Sequence, residues 1–592
     1  MGKRSFYISL LCISAGAVTL FDCRAFYAPY LIAAVFSVYC LFKIKDRDID
    51  RNSRKYRIVC IVSFVAAVFV TLANYALWLH PDMPDIRTPM FVRICKLLLI
   101  LIIMSGSFSS VLAIMTYTVY DPDSFSVSGK LPSGKRPWLF FLVPFVIISG
   151  IYLTIYMCCY YPGLLSVDSI DQVTQIFSGE YSNHQPFFHT MIVGVFLRMG
   201  LAAFSDINRA VAFYAVFQVL FMAATFSFTI HTMAKLKMPV WCEVAATAFY
   251  ALMPYHIMYS YTVWKDVYFG AFVTLLIVFF IRLYTRTGNT VANTIGFAAC
   301  GPIICLIRSN GLFAYAFVFL AMLLLARKEK KLVLIMLITM IASFAAKHTM
   351  LPALNVTAPD TVESLSIPLQ QIARVVADDG VIADEDQAFL EQIIDTSTLK
   401  DVYDPDISDP VKNAIRDHGD QDFLSQNMGG FAGMYLRTFV HNPMEYIIAW
   451  VDSTCGYWNA GYDYWIWYWD IEQNPWGITR TVHSESVLHF MDEYLWLFYN
   501  NRILQVFTSI GLAVWIALLA LAKGISRNDR LMIIATVPPL AIMLSLIISS
   551  PVFSEFRYMY ALYCALPLLC ALMTKRLPNG EDPECGESKE GV

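Results

Sequence analysis

Asp168 and Asp171 stand three residues apart, a few positions after a Tyr161-Pro162-Gly163 turn. On a helix that spacing puts both carboxylates on one face, where either could take a proton from a hydroxyl. Four further polar motifs follow. They are His184-Gln185-Pro186, Trp264-Lys265-Asp266, Arg308-Ser309-Asn310-Gly311 and Ser554-Glu555-Phe556-Arg557-Tyr558. Three of them carry a cation beside a carboxylate or an amide, a combination that could hold an anionic group.

The elements that must position these residues are membrane helices. The chain has 592 residues, 57% of them hydrophobic and only 15% charged, against about 25% charged in an ordinary soluble domain. Apolar stretches near the ~20 residues that a bilayer requires recur along its length. Spans are expected at 5–22, 27–43, 58–79, 92–119, 138–160, 208–233, 240–260, 266–284, 292–307, 310–326, 332–349, 501–523, 530–549 and 555–573. The expected fold is an all-α polytopic membrane protein of about 14 helices, with a region of mixed structure outside the membrane before the last three. The net charge of −3 gives no sign of nucleic-acid binding, and the 14 Cys fall mostly in apolar segments with no CxxC pair. They read as small core residues.

Lys and Arg set the orientation. With the N-terminus in the cytoplasm, the clusters Lys43 to Arg57, Arg327 to Lys331 and Lys523 to Arg530 all fall inside, as the positive-inside rule requires. Both termini are then cytoplasmic, and all five motifs lie on the outer face. Lys265, Arg308 and Arg557 break the inside rule. Charges at a membrane boundary are costly unless they are used, so the motifs are expected to share one cavity. Pairing with Asp or Glu to hold helix ends is the bland alternative for each. Within 161–207 the stretch Phe187–Phe204 is apolar enough to span, but spanning would invert everything downstream; it is expected to lie along the outer interface.

Segment 350–500 is expected to be water-exposed, acidic between Asp360 and Asp422 and Trp-rich towards its end. Asp404, Asp406 and Asp409 lack the Gly and closing Glu of a calcium loop. Trp450, Trp458, Trp465, Trp467, Trp469, Trp476 and Trp496 suggest an interfacial aromatic belt or a platform for sugar rings. The spacing of His483, Glu485 and His489 does not favour a metal site. The chain thus divides into a four-helix extension (1–137), a membrane core (138–349) with the outer loop 161–207, the outer region (350–500), C-terminal membrane helices (501–573) and a cytoplasmic tail (574–592).

The order and common sidedness of these motifs resemble the glycosyltransferase C-fold superfamily, which includes protein mannosyltransferases, aminoarabinose transferases and oligosaccharyltransferases. The Tyr-Pro-Gly…Asp-Ser, Trp-Lys-Asp and Arg-x-Asn-Gly forms resemble an uncharacterised bacterial multi-pass family grouped with it. The likeness covers roughly 138–573. One departure is the separation of Asp168 from Asp171, where many superfamily members have adjacent acidic residues. The resemblance implies a hexosyl- or pentosyltransferase of the bacterial plasma membrane, serving the cell envelope. Its partners would be membrane lipid, a polyprenyl-phosphate-linked sugar donor and a glycan, lipid or protein acceptor.

Such an enzyme needs a base for the acceptor hydroxyl and cations for the leaving phosphate. Asp168 is the expected base, with Asp171 second. Lys265, Arg308 and Arg557 are the expected phosphate clamps. Asp266 and Glu555 would position the cations or hold a divalent ion such as Mg or Mn, with His184, Asn310 and Tyr558 in support. Replacing Asp168 by Asn is expected to leave donor binding little changed. A glycan ligase or polymerase and a transporter or flippase of lipid-linked sugars are the competing readings. A transporter would want polar residues at mid-membrane and internal repeats, and no repeat is evident.

Overall fold

A computed structural model describes residues 7–8, 10–11, 14, 27–45, 47, 49–78, 90–121, 123–127, 137–460 and 465–575. Most of the expected first span and all of the tail beyond Lys575 lie outside these residues. The described residues form helices joined by turns, with five isolated β-bridges and no strands. Eleven of their helices are long and apolar enough to cross a membrane.

Numbered among the described helices, the N-terminal extension contributes α1 (Tyr27–Lys43), α2 (Arg54–Trp78) and α3 (Met90–Tyr120). The core follows with α4 (Leu139–Cys159), α5 (Val167–Ser178), α6 (Phe187–Phe204) and α7 (Ile207–Lys235). Next come α8 (Val240–Leu252), α9 (Pro254–Ser260), α10 (Lys265–Tyr284), α11 (Thr290–Ile307), α12 (Gly311–Leu325) and α13 (Lys330–Ala345). The span expected at 240–260 is therefore broken. Pro254 has no N–H to continue the ladder, and Met253 before it is extended at φ −65°, ψ 127°, as a residue preceding proline prefers.

The region 350–500 has helices and turns as far as Tyr457, whereas 465–484 are irregular, with isolated bridges at Ile471 and Thr481. Its first part has its own core, in which Val362, Ile372, Val375, Val411 and Ile415 are buried together. The helices at its end that matter below are α14 (Met428–His441), α15 (Pro443–Thr454) and α16 (Glu485–Asn500). The chain closes with α17 (Ile510–Arg527), α18 (Arg530–Ser549) and α19 (Tyr560–Thr574). The expected span at 501–523 begins late, because Leu504–Phe507 forms a short 3-10 turn before α17.

Side-chain contacts fix which helix ends lie together. Gln218 on α7 donates to the carbonyls of Tyr259, Ser260 and Thr262 at 2.8–3.1 Å. Arg282 near the end of α10 donates to Thr232 near the end of α7 at 3.2 Å and to Asn293 at the start of α11 at 3.1 Å. So α7 runs from the motif-bearing end of the bundle to the other end, the broken pair α8–α9 returns, α10 leaves again and α11 comes back. Helix α6 behaves differently. It starts beside α5, where His189 meets Gln172. It finishes where Gly200 packs on Ala210 and Phe204 lies 6.4 Å from Phe213, both at the start of α7. Both ends of α6 are therefore at the same end of the bundle, despite a length and composition that would permit crossing.

The expected Trp belt is mostly turned inward. Trp458 and Trp467 are buried, Trp465 lies 5.8 Å from Trp264, and Trp476 stacks 4.5 Å from Phe177. Of the seven, Trp496 is the exposed one.

Candidate active site

The site is assembled by backbone stitching before any charge is placed. Leu164 N–H donates to the Tyr261 carbonyl, and Val263 N–H donates to the Leu164 carbonyl, at 3.0 and 2.9 Å. Gly163 makes the approach possible: it sits at φ +138°, and a side chain there would press on the Tyr261 carbonyl. Ser166 then starts α5 in a reciprocal cap with Ser169, which satisfies two otherwise orphaned donors. Trp264 Nε1 donates to Ser166 Oγ at 2.7 Å, and Ser169 Oγ donates to the Val263 carbonyl at 2.6 Å. These contacts hold the first turn of α5, which carries Asp168, beside the first turn of α10, which carries Lys265.

Asp168 is the hub. Arg557 Nη1 donates to its Oδ2 at 2.9 Å, and Lys265 Nζ lies 3.6 Å from the same oxygen. Gln185 Nε2 donates to Oδ1 at 2.9 Å, while Gln185 Oε1 accepts from Lys265 Nζ at 2.6 Å. Burial would push the Asp168 carboxyl up, but the Lys265 and Arg557 charges and the hydrogen bonds outweigh it and hold it well below the usual range. Asp171, one turn on, is exposed; partial burial and the Asp168 charge raise it.

A second ion pair lies alongside. Arg308 Nη1 is 2.9 Å from Asp266 Oδ1, and it donates to the Tyr558 carbonyl at 3.3 Å. Arg557 Nε is 3.2 Å from Glu555 Oε1, and burial pushes Glu555 up to about 7 against the pull of Arg557. The Tyr558 ring packs against both guanidinium groups, at 4.7 Å from Arg308 and 5.4 Å from Arg557, a favourable use of its face. Arg308 is placed by a tight turn between α11 and α12. A Cβ on Gly311 would sit 2.0 Å from the Ile304 carbonyl oxygen, so the last residue of the Arg-Ser-Asn-Gly motif has to be glycine.

Lys265, Asp168, Asp266, Arg308, Glu555 and Arg557 are thus brought together from four separated segments. Asn310 and His184 are not part of that core. Asn310 Nδ2 donates to Ser545 Oγ at 2.8 Å and ties α12 to α18, whereas His184 is exposed at the rim. Sequence reasoning missed two members. Gln185 is buried and bridges Asp168 to Lys265; its signal was its place in the His-Gln-Pro motif. Lys347 donates to the Arg308 and Ser309 carbonyls at 3.4 and 3.2 Å. It follows the apolar α13 and could have been found as one more outer cation.

The carboxylates do not fit a resident Mg or Mn ion. Asp266 and Glu555 are buried, but a guanidinium already lies against each residue. Among the described residues no group of three or more His, Cys, Asp or Glu side chains could hold a metal. What the arrangement offers is a partly buried set of four cations and three carboxylates with an excess of positive charge, suited to one more anion.

An all-helical chain with many membrane-length apolar helices and a charged cluster at one end of the bundle is a polytopic membrane protein. Residues 178–584 match the model of DUF6020, a family of unknown function, and the chain belongs to that family. The match begins at the last residue of α5, so it contains Gln185, Lys265, Arg308 and Arg557 and starts after Asp168. No curated protein and no solved structure matches the chain.

Proposed function

We propose that the protein is a membrane glycosyltransferase that moves a sugar from a polyprenyl-phosphate donor to an acceptor hydroxyl on the extracytoplasmic face of the bacterial plasma membrane. The observation that carries this reading is the convergence of Lys265 and Arg557 on Asp168 at one end of the bundle, with Arg308 alongside on Asp266 and Lys347 on the Arg308 carbonyl. A phosphodiester entering there competes with Asp168 for Lys265 and Arg557. As the cations turn to the phosphate, Asp168 loses the charges that suppress its basicity, while Gln185 keeps it in place. The acceptor oxygen then bonds to the anomeric carbon and its proton passes to Asp168. The bond from the anomeric carbon to the phosphate oxygen breaks, and its electron pair leaves with the polyprenyl phosphate, where the cations stabilise the charge.

A lipid-linked glycan ligase or polymerase would use the same chemistry with a glycan acceptor. Transport of the intact lipid-linked sugar is less favoured, since the charges gather at one end of the bundle rather than midway along it. Purified protein incubated with polyprenyl-phosphate hexoses and pentoses, together with envelope acceptors, should deplete the lipid-linked sugar and release polyprenyl phosphate. Movement of the intact lipid-linked sugar across vesicles without its consumption would replace this reading with the transport one.

A further inference from the structure

Helices α14 and α15 form an elbow whose outer side is apolar. Leu436 is 60% exposed, Val440 71%, and Phe439, Met444 and Ile447 also face outward. Val381 is 64% exposed and is clipped to the tip of the elbow, because Asn442 Oδ1 accepts from its N–H and Asn442 Nδ2 donates to its carbonyl at 2.8 and 2.7 Å. Arg437, the cation on α14, is tied back to Asp386. A largely apolar face of this kind, interrupted by the exposed Arg437 and His441, on an otherwise acidic region marks a surface that is covered in use.

The far end of α15 says what covers it. Trp450 lies 6.2 Å from Phe69 on α2, and its Nε1 donates to the Ile547 carbonyl near the end of α18 at 2.8 Å. Trp458, just past the helix, lies 5.2 Å from Phe69. Phe69 is within the membrane-length stretch Arg54–Ala73. Six residues of helix separate Met444 from Trp450, about 9 Å at 1.5 Å per residue. The exposed face of the elbow therefore begins within about 9 Å of a residue level with the hydrocarbon.

We infer that the α14–α15 elbow, with Val381 at its tip, is embedded in the leaflet on the side of the Asp168 cluster and anchors the acidic region to the lipid. Its depth is that of an interfacial amphipathic helix, about 5–10 Å into the boundary of headgroups and acyl chains. The inference does not depend on the proposed activity.

Nitroxide labels on Val440→Cys, Leu436→Cys and, as a water-facing reference, Ser425→Cys test it in the full chain reconstituted in phosphatidylcholine–phosphatidylglycerol vesicles. Unsubstituted protein gives the background from native cysteines. Labels at 440 and 436 should collide more with oxygen, and less with a water-soluble nickel relaxant, than the label at 425. Equal nickel access at all three positions would overturn the inference. So would shielding of 440 and 436 from both relaxants with dipolar broadening between labelled copies, which would assign the patch to a second copy of the chain.

Discussion

Asp168 is a carboxylate kept ionised by the groups it would have to release. With Lys265 and Arg557 on one oxygen, it is a poor base until an anion takes those cations. This changes the expectation for Asp168→Asn. Transfer should fall by roughly 10²–10⁴, the usual worth of a general base, but binding of a polyprenyl-phosphate diester should tighten, because two cations lose their competitor. Equilibrium binding to the detergent-solubilised variant reads this directly; weaker binding would show that Asp168 helps hold the donor instead. If Asp171→Asn is inactive and Asp168→Asn is not, the exposed carboxylate is the base. Glu555 adds a pH dependence. Its carboxyl, raised by burial to about 7, is neutral below that pH and charged above it. Neutral Glu555 frees Arg557 from a counter-charge, so diester binding should strengthen as pH falls through about 7. The diester itself does not titrate there, and Glu555→Gln should bind with the tighter affinity across the range. A pH step of the same size in that variant would assign it to another group.

At the scale of the elements, the site depends on tight junctions more than on helix interiors. Gly311→Ala forces a methyl into the Ile304 carbonyl, which should cost about 1–3 kcal/mol as overpacking. It should also shift Arg308 away from Asp266. Thermal unfolding in detergent checks the first effect; a melting point equal to that of the unsubstituted chain would mean that the turn relaxes freely. Such junctions explain what could be read beforehand. Asp168, Lys265, Arg308 and Arg557 stood out because a charge flanked by membrane-length apolar runs is expensive. Gln185 carries no charge and so had no comparable signal. The break at Met253-Pro254 lay inside an apolar run that hydropathy averages over. The Trp-rich end was read by composition alone, which cannot tell a ring facing lipid from one packed on Tyr499, as Trp467 and Trp469 are.

For the whole molecule, the contact between Asp168 and Lys265 is a statement about topology. The chain between them contains α6, α7 and the broken pair α8–α9. Two residues 3.6 Å apart must lie at the same membrane boundary, so the number of crossings between them is even. Helix α7 departs to the far end of the bundle and α8–α9 return, which makes two. If α6 crossed as well, it would set Asp168 and Lys265 on opposite sides of about 30 Å of hydrocarbon. The apolar character of α6 therefore serves packing along α7 and the interface, not passage. The positive-inside rule puts the basic clusters in the cytoplasm, and on that orientation Ser205 at the end of α6 and the Asp168 cluster are both expected to face outward. A cysteine introduced at Ser205 should react with a membrane-impermeant maleimide added outside intact cells, and a cytoplasmic reporter fused after Lys575 should be active. Labelling at 205 only after the cytoplasmic face is opened would make α6 a crossing helix. In that case the parity of every later helix would have to change, and the meeting of Asp168 with Lys265 could not stand.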